Sequence, residues 1–84
     1  MSDWRIVLDR DAAKALRRLG RRDRERLAAA MAKLPEQGDI RELLGSAGLY
    51  RLRVGTWRVI FRVGAEDDLV QVVAIRPRGS AYKP

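Results

Sequence analysis

The amino-acid sequence predicts an α+β fold in which two helices pack on one face of a mainly antiparallel, four-stranded sheet. The main observation is the stretch Leu49 to Val63, where two alternating apolar runs are joined by Gly55-Thr56, a pattern typical of a β-hairpin. Two segments before it have helical spacing, and a further apolar strand lies towards each end of the chain. The predicted order is a strand, two helices and a three-strand antiparallel meander, in a single domain covering residues 1–84.

The first strand and the first helix are predicted from alternation and from capping signals. Asp3 to Leu8 predicts a first strand, with Trp4, Ile6 and Leu8 on one face and Arg5 and Val7 on the other. Asp9 or Asp11 can then cap a helix that runs to about Leu19, with Gly20 as its C-terminal stop.

A second helix is predicted from about Arg22 to Leu34, and Pro35 closes it. The arginine-rich sequence RRLGRRDRER runs through the junction between the two helices. Such a cluster occurs in nucleic-acid-binding arms and equally on salt-bridged helix surfaces. Because the first helix shows a normal amphipathic split, a solvated surface is the favoured interpretation.

The hairpin has a register that its turn specifies. Glycine in the first central position suits a type II′ turn, and with a two-residue loop at Gly55-Thr56 the side chain of Arg53 lies directly opposite Arg58. Like charges placed in this way are destabilising, but a slip of one residue would expose the aromatic face to water. A polyanionic partner would relieve the repulsion, and a solvated arginine-rich surface is the alternative. The apolar face consists of Tyr50, Leu52, Val54, Trp57, Val59 and Phe61, and the other face carries Arg51, Arg53, Arg58 and Arg62, with Ile60 among them.

The segments on either side of the hairpin complete the predicted sheet. Glu36 to Gly48 predicts a polar connection with one helical turn around Arg41 to Leu44. Gly64 to Asp68 predicts an acidic loop, and Leu69 to Ile75 predicts a central strand covered on both faces, because only Gln71 interrupts its apolar run. The helices are expected to cover the aromatic face of the hairpin and to leave the arginine face open.

The C-terminal tail can add to the arginine surface. A strand that ends at Ile75 delivers Arg76 and Arg78 at the sheet edge, with Tyr82 shortly after them. Arginines two apart can share a face in extended backbone. The hairpin arginines, the tail arginines and the tyrosine could therefore converge on one concave surface. In the alternative interpretation, Tyr82 folds back as an aromatic plug of the core.

Composition restricts the possible functions. The 84 residues have room for one modest core and include no cysteine and no histidine, which removes disulfides, the usual zinc ligands and the usual general base at neutral pH. We therefore expect no metal and no cofactor. The formal net charge is +7, and 15 of the 18 basic residues are arginine, whose planar fork binds phosphate bidentately. This bias favours a nucleic-acid or acidic-protein partner, although a GC-rich genome also enriches arginine.

The sequence indicates no association with a membrane. Its longest apolar run is too short to span a bilayer, and its N-terminus lacks the apolar region of a signal peptide. We therefore expect a cytoplasmic protein.

Two motifs resemble the RelE/ParE toxin superfamily of bacterial and archaeal toxin–antitoxin pairs. The sequence YRLRVGTWRVIFRV resembles the middle hairpin of that family, and RPRGSAY resembles its final basic segment, which ends in a tyrosine. The similarity in the order of elements covers nearly the whole chain. The late arginine-plus-tyrosine pattern is typical of the RelE-like, mRNA-cleaving branch and is often missing from the gyrase-poisoning, ParE-like branch.

The resemblance implies a ribosome-dependent endoribonuclease that cuts messenger RNA in the ribosomal A site, by attack of a ribose 2′-hydroxyl on the adjacent phosphate. By this resemblance Arg58 stabilises the transition-state phosphate, and Arg76 stabilises the phosphate or protonates the leaving group. Tyr82 stacks on the base or accepts the proton. A histidine often present in the tail of relatives is replaced by Pro77, so Tyr82, with a pKa lowered by surrounding arginines, is the leading candidate for the base.

The resemblance also implies which residues bind the phosphates around the cleaved bond. Arg51 and Arg53 stand where the best-studied branch has lysines, and since arginine keeps its proton near neutrality they are expected to clamp phosphate. The other candidate phosphate-binding residues are Arg62 and Arg78.

The implied protein partner is an acidic antitoxin that wraps the apolar and arginine surfaces in a hetero-oligomeric complex. Two other functions stay open at this point. One is a gyrase-directed toxin of the ParE-like branch, without catalysis of its own. The other is a basic RNA-binding or interaction module that is not toxic, for which the missing lysines are the main support.

Overall fold

The computed structural model describes residues 4–43, 45 and 48–77. The elements are β1 (Arg5–Leu8), α1 (Arg10–Arg18), α2 (Arg21–Met31), β2 (Asp39–Glu42), β3 (Leu49–Val54), β4 (Trp57–Gly64), a short 3-10 helix (Ala65–Asp67) and β5 (Leu69–Pro77). The strands form one sheet in the order β1-β5-β4-β3-β2. Strands β2 to β5 make an antiparallel meander, and β1 pairs with β5 in parallel. The predicted α+β fold is confirmed, with five strands instead of four.

The additional strand is β2, which lies in the segment predicted as a polar connection. Its residue Ile40 pairs with Leu52 of β3, and three of the four residues of the strand are charged. A run so charged has too little apolar alternation to predict a strand. It forms here because it satisfies backbone groups that would otherwise be unpaired along β3. The predicted helical turn is wrong for residues 41–43, and Leu44 lies outside the described residues.

The two helices begin and end slightly differently from the prediction. Leu19 and Gly20 are both extended, with φ of −78° and −63°, so Gly20 is not a left-handed stop but the residue that precedes α2. Helix α2 ends at Met31, and the chain continues in turns, in which Leu34 is still buried in the core. Asp9 stands in the N-cap position of α1 without capping it. Its Oδ1 accepts a hydrogen bond of 2.8 Å from Nε2 of Gln71 instead.

Both helices pack against one face of the sheet, which we call the core face. Helix α1 contacts β1 and β5, and helix α2 contacts β3. The predicted aromatic face of the hairpin is on this side, and the rings of Tyr50 and Phe61 stack with centroids 5.7 Å apart. The buried residues of the core are Ala12, Leu27, Met31, Leu34, Leu52, Val54, Val59, Phe61, Val70, Val72 and Ile75.

The hairpin has the predicted register, with Val54 opposite Trp57 across a two-residue turn. Gly55 has φ of +59°, and among the described residues other than glycine only Asp68 has a positive φ. A type I′ turn needs positive φ at both central positions, so the turn fits type II′. A Cβ atom at Gly55 would lie 2.9 Å from Nη1 of Arg26, because the side chain of this α2 residue rests against the turn.

Strand β5 lies between β1 and β4 over only part of its length. Its pairing with β1 ends where Leu8 meets Val72, whereas its pairing with β4 continues to Pro77, with an irregularity between Ile60 and Phe61. The predicted end at Ile75 is therefore wrong, and the last residues of β5 have no β1 partner on their other side. The predicted acidic loop contains the 3-10 helix.

Within the described residues, neither helix has the length and apolar character needed to cross a membrane.

Candidate nucleic-acid interface

The face of the sheet opposite the core face carries all five of the candidate arginines that the structure describes, and we call it the arginine face. It is formed by Arg51, Arg53, Arg58, Arg62 and Arg76. Successive side chains of a strand point to opposite faces, so the alternation that places Phe61 in the core places its neighbours on the other side.

Three of these arginines lie in one line across the sheet. Arg53 of β3 pairs with Arg58 of β4, and Arg58 pairs in turn with Arg76 of β5. Directly opposite residues have Cβ atoms about 4.5–5.5 Å apart, so the three guanidinium groups can act on one small ligand. We call these three residues the arginine row. Asp39 of β2 pairs with Arg53 and lies at the end of the row.

The other two arginines lie further from the turn of the hairpin. Arg51 pairs with Arg41 of β2 on one side and with Ile60 of β4 on the other. Arg62 is four residues beyond Arg58 along β4, which is about 13 Å at the rise of a strand. The structure therefore brings Arg51 next to the arginine row and places Arg62 apart from it.

Burial differs strongly among these side chains. Arg58 is only 6% exposed, in the middle of the row, whereas Arg62 and Arg76 are exposed. The expectation that the arginine face is left open is therefore wrong for Arg58. The Nη1 atom of Arg51 is also buried, and it has no hydrogen-bond partner in the described part of the chain, a state that is costly unless an acceptor is supplied.

The ion pair that the described residues form lies away from this face. Across the described ranges, the one ion pair within 4.0 Å joins Arg21 to Glu25 at 2.9 Å, on the exposed surface of α2. Arg53 and Arg76 therefore have no ion-pair partner among the described residues, and Asp39 approaches Arg53 without reaching that distance. Arg53 and Arg76 are thus charged donors without a carboxylate partner in the described part of the chain, and such donors suit an oxyanion.

The remaining predicted site residues are Arg78 and Tyr82, and both lie outside the described residues. Arg76, predicted as part of a tail, is instead a strand residue held in register with Arg58. Pro77 ends β5 opposite Trp57, beside the turn of the hairpin and at the same end of the sheet as the arginine row.

A groove lies between α1 and the part of β5 that follows Val72, where β5 no longer pairs with β1. We call it the α1–β5 groove. Its volume is about 310 Å³. It is lined by Asp11, Lys14, Ala15, Arg18, Ala74, Ile75 and Arg76. The sequence predicts an amphipathic first helix. It does not predict the groove, because the groove depends on where β1 ends, which local spacing does not show.

Arg41 and Asp39 are further members of the arginine face that the sequence pattern did not predict. Both belong to β2, and only pairing with β3 shows their position beside the hairpin arginines. The described residues contain no group of three or more carboxylate, histidine or cysteine side chains that could hold a metal ion. The described part of the interface consists of cations that can bind phosphate, and arginine does not act as a proton acceptor near neutral pH.

A family of known proteins matches almost the whole chain. Residues 6–82 match the sequence model of the family described as the ParE toxin of the type II toxin–antitoxin system parDE. Comparison with curated proteins finds no matching sequence.

Solved structures of RelE toxins have a similar fold. The archaeal RelE–RelB complex from Pyrococcus horikoshii contains a chain with 28% identity and a TM-score of 0.74, aligned over 92% of this chain and 97% of that one. A chain of the RelBE2 complex from Mycobacterium tuberculosis has a TM-score of 0.79 at 20% identity, over 95% of this chain and 97% of that one. The isolated RelE toxin of E. coli has a TM-score of 0.75 at 23% identity, over 88% of this chain and 83% of that one.

Proposed function

The chain belongs to the RelE/ParE superfamily of toxins of type II toxin–antitoxin systems, and from this membership we propose that it is an endoribonuclease that cleaves messenger RNA in the ribosomal A site. The observation that carries the proposal is the arginine row. Arg53 and Arg76 flank Arg58 in register across three strands, and neither flanking side chain has an ion-pair partner among the described residues. Such a row fits a phosphodiester more closely than a protein surface, because guanidinium binds phosphate oxygens bidentately.

The proposed reaction is attack of a ribose 2′-hydroxyl on the adjacent phosphorus. The 2′ oxygen forms a bond to phosphorus, the bond to the 5′ oxygen of the next nucleotide breaks, and the products are a cyclic phosphate and a 5′-hydroxyl. Negative charge develops on the phosphate oxygens. Preorganised donors aimed at such charge typically contribute about 10²–10³-fold each to the rate.

Each member of the row has a proposed role in this reaction. Arg58 contacts the phosphate that becomes pentavalent, because it is the central and most buried member. Arg76, which is exposed, stabilises the phosphate or donates the proton to the leaving oxygen. Arg51 and Arg53 hold the flanking backbone, and the Nη1 atom of Arg51 gains an acceptor when RNA binds. Tyr82 is proposed to take the 2′ proton or to stack on the base.

The proposed protein partner is an acidic antitoxin that binds the toxin in a hetero-oligomeric complex. The solved relatives from P. horikoshii and M. tuberculosis are toxin–antitoxin complexes. The net charge of +7 favours an acidic partner. An antitoxin that covers the arginine face would neutralise the charge and block the RNA at the same time.

A second candidate function is inhibition of DNA gyrase. It is favoured by the family match itself, since the matching description is that of a ParE toxin, whereas the similar solved structures are RelE toxins. Gyrase inhibition requires no catalytic residues in the toxin. The two functions therefore differ in whether a single arginine of the row is needed for a chemical step.

Induced expression followed by primer extension distinguishes these functions. The RNA-cleaving toxin is expected to produce cuts inside translated codons, and Arg76→Ala is expected to reduce them by about 10²–10³-fold through loss of one charged donor. The matched control is Arg17→Ala, which removes an exposed arginine of α1 that does not line the site. Tyr82→Phe, tested beside them, examines the proposed proton acceptor.

Two results would contradict the proposal. Intact messages together with DNA-damage signalling would favour the gyrase-directed function. If Arg58→Ala and Arg76→Ala both remain fully growth-arresting, with folding verified by circular dichroism, the arginine row is not the active site.

A further inference from the structure

The α1–β5 groove contains more positive charge than its own residues neutralise. Lys14 and Arg18 of α1 face Arg76 of β5, and Asp11 is the single carboxylate in the lining. Lys14, Arg18 and Arg76 form no ion pair within the described residues. Residues four apart on a helix have Cβ atoms about 5–6 Å apart, so Lys14 and Arg18 present two adjacent cations along the wall of the groove.

The groove is continuous with the arginine row. Arg76 belongs to both, because it pairs with Arg58 on the arginine face and also lines the groove. This continuity exists because β1 stops pairing at Val72 and so leaves the last part of β5 uncovered. A ligand held on the row can reach the groove at Arg76, and Ala74, a small side chain of the same strand, also lines the groove.

We propose that the α1–β5 groove is a second phosphate-binding subsite, which holds the backbone of single-stranded RNA on one side of the nucleotide bound at the arginine row. This inference rests on the proposed function, because it takes the ligand of the row to be RNA. Lys14 and Arg18 bind a neighbouring phosphate, and Arg76 spans the two subsites. Lys14 and Arg18 contribute to binding and positioning and make no contact with the reacting atoms.

The lining favours RNA over an acidic peptide. Asp11 repels the carboxylates of such a peptide and the phosphates of RNA alike, but RNA also offers a ribose 2′-hydroxyl, from which Asp11 can accept a hydrogen bond. Arg18 and Arg76 can also stack on bases, which a peptide rich in aspartate and glutamate does not offer.

The test measures RNA binding by the purified full-length chain with fluorescence anisotropy. Two single-stranded RNA oligomers of about 4 and about 12 nucleotides bracket the span of one subsite and of both. The variant is Lys14→Gln with Arg18→Gln, and the matched control is Arg10→Gln with Arg17→Gln, which removes the same charge from exposed positions of α1 outside the groove.

The groove variant is expected to lose affinity for the long oligomer and to keep that for the short one. Each phosphate contact contributes about 0.7 to the slope of log affinity against log salt for a single strand. Between about 50 and about 200 mM salt, two contacts thus amount to about a 7-fold difference in affinity loss between the wild type and the groove variant. The control is expected to retain the wild-type slope.

Two outcomes would overturn the proposed subsite, and a third would overturn only the proposed nuclease function. Equal losses in the groove variant and the control would show that only net charge matters. An unchanged RNA affinity with weakened binding of poly-glutamate would assign the groove to an acidic peptide. If the groove variant loses long-RNA affinity as expected but the cell assay shows no cleaved messages, the subsite stands and the proposed nuclease function fails.

Discussion

The two faces of the sheet are built from alternate residues of the same strands, but the side chains that lie opposite each other interact differently on each face. On the core face, Phe61 is fully buried and stacks on Tyr50 across the hairpin. On the arginine face, Arg58 lies between two residues of its own charge. Opposed apolar pairs stabilise a sheet, and opposed like charges destabilise it.

The difference indicates which face determines the fold. Because a one-residue slip would exchange the faces, burial of the aromatic side chains holds the register, and the repulsion between Arg53 and Arg58 is tolerated. Residues that break a local rule are concentrated at functional sites in natural proteins. The core face therefore accounts for stability, and the arginine face is the one on which we propose that a ligand binds.

The largest expected effect comes from the core face. Phe61→Ala is expected to lower the free energy of unfolding by about 3–5 kcal/mol, because it removes a fully buried ring and leaves a cavity. The adjacent substitution Arg62→Ala, at an exposed position of the other face, is expected to change it by less than about 0.5 kcal/mol. Urea denaturation of both variants measures the difference. If the two variants lose similar amounts of unfolding free energy, the core face does not account for more of the stability than the arginine face.

A smaller effect is expected at Gln71, which pairs with Arg62 across β4 and β5. Gln71→Ala removes the 2.8 Å bond from Nε2 to Oδ1 of Asp9, and we expect a loss of about 1 kcal/mol in the free energy of unfolding. Asp9→Asn is the matched control, because the amide oxygen can still accept this bond, and it is expected to cost less. Equal costs would mean that the charge of Asp9, not the bond, matters.

The two faces also differ in how far the sequence predicts them. The hairpin register and its apolar face follow from alternation around Gly55, so local pattern was sufficient. The sequence pattern did not predict β2, because the residues of this strand are mainly charged. It placed the end of β5 too early, because a proline such as Pro77 usually ends a strand.

The composition of the arginine face was predictable, and its detailed geometry was not. The alignment of Arg76 with Arg58 depends on pairing between β4 and β5. The burial of Arg58 is likewise a property of the assembled structure. The α1–β5 groove likewise depends on where β1 ends. Local periodicity contains neither kind of information.

The smallest expected effect is a gain in stability, which is the opposite of what is expected for a substitution on the core face. Arg76→Gln removes a cation that lies opposite Arg58 and near the basic wall of the groove, so the free energy of unfolding is expected to rise by about 0.2–1 kcal/mol. High salt should reduce the part of the gain that comes from the exposed Lys14 and Arg18, since it screens exposed charges more than the buried Arg58. The matched control is Arg53→Gln, which also loses the attraction of Asp39 and is expected to gain less. Urea denaturation at low and high salt tests this; a loss of stability in Arg76→Gln would mean that its charge supports the fold.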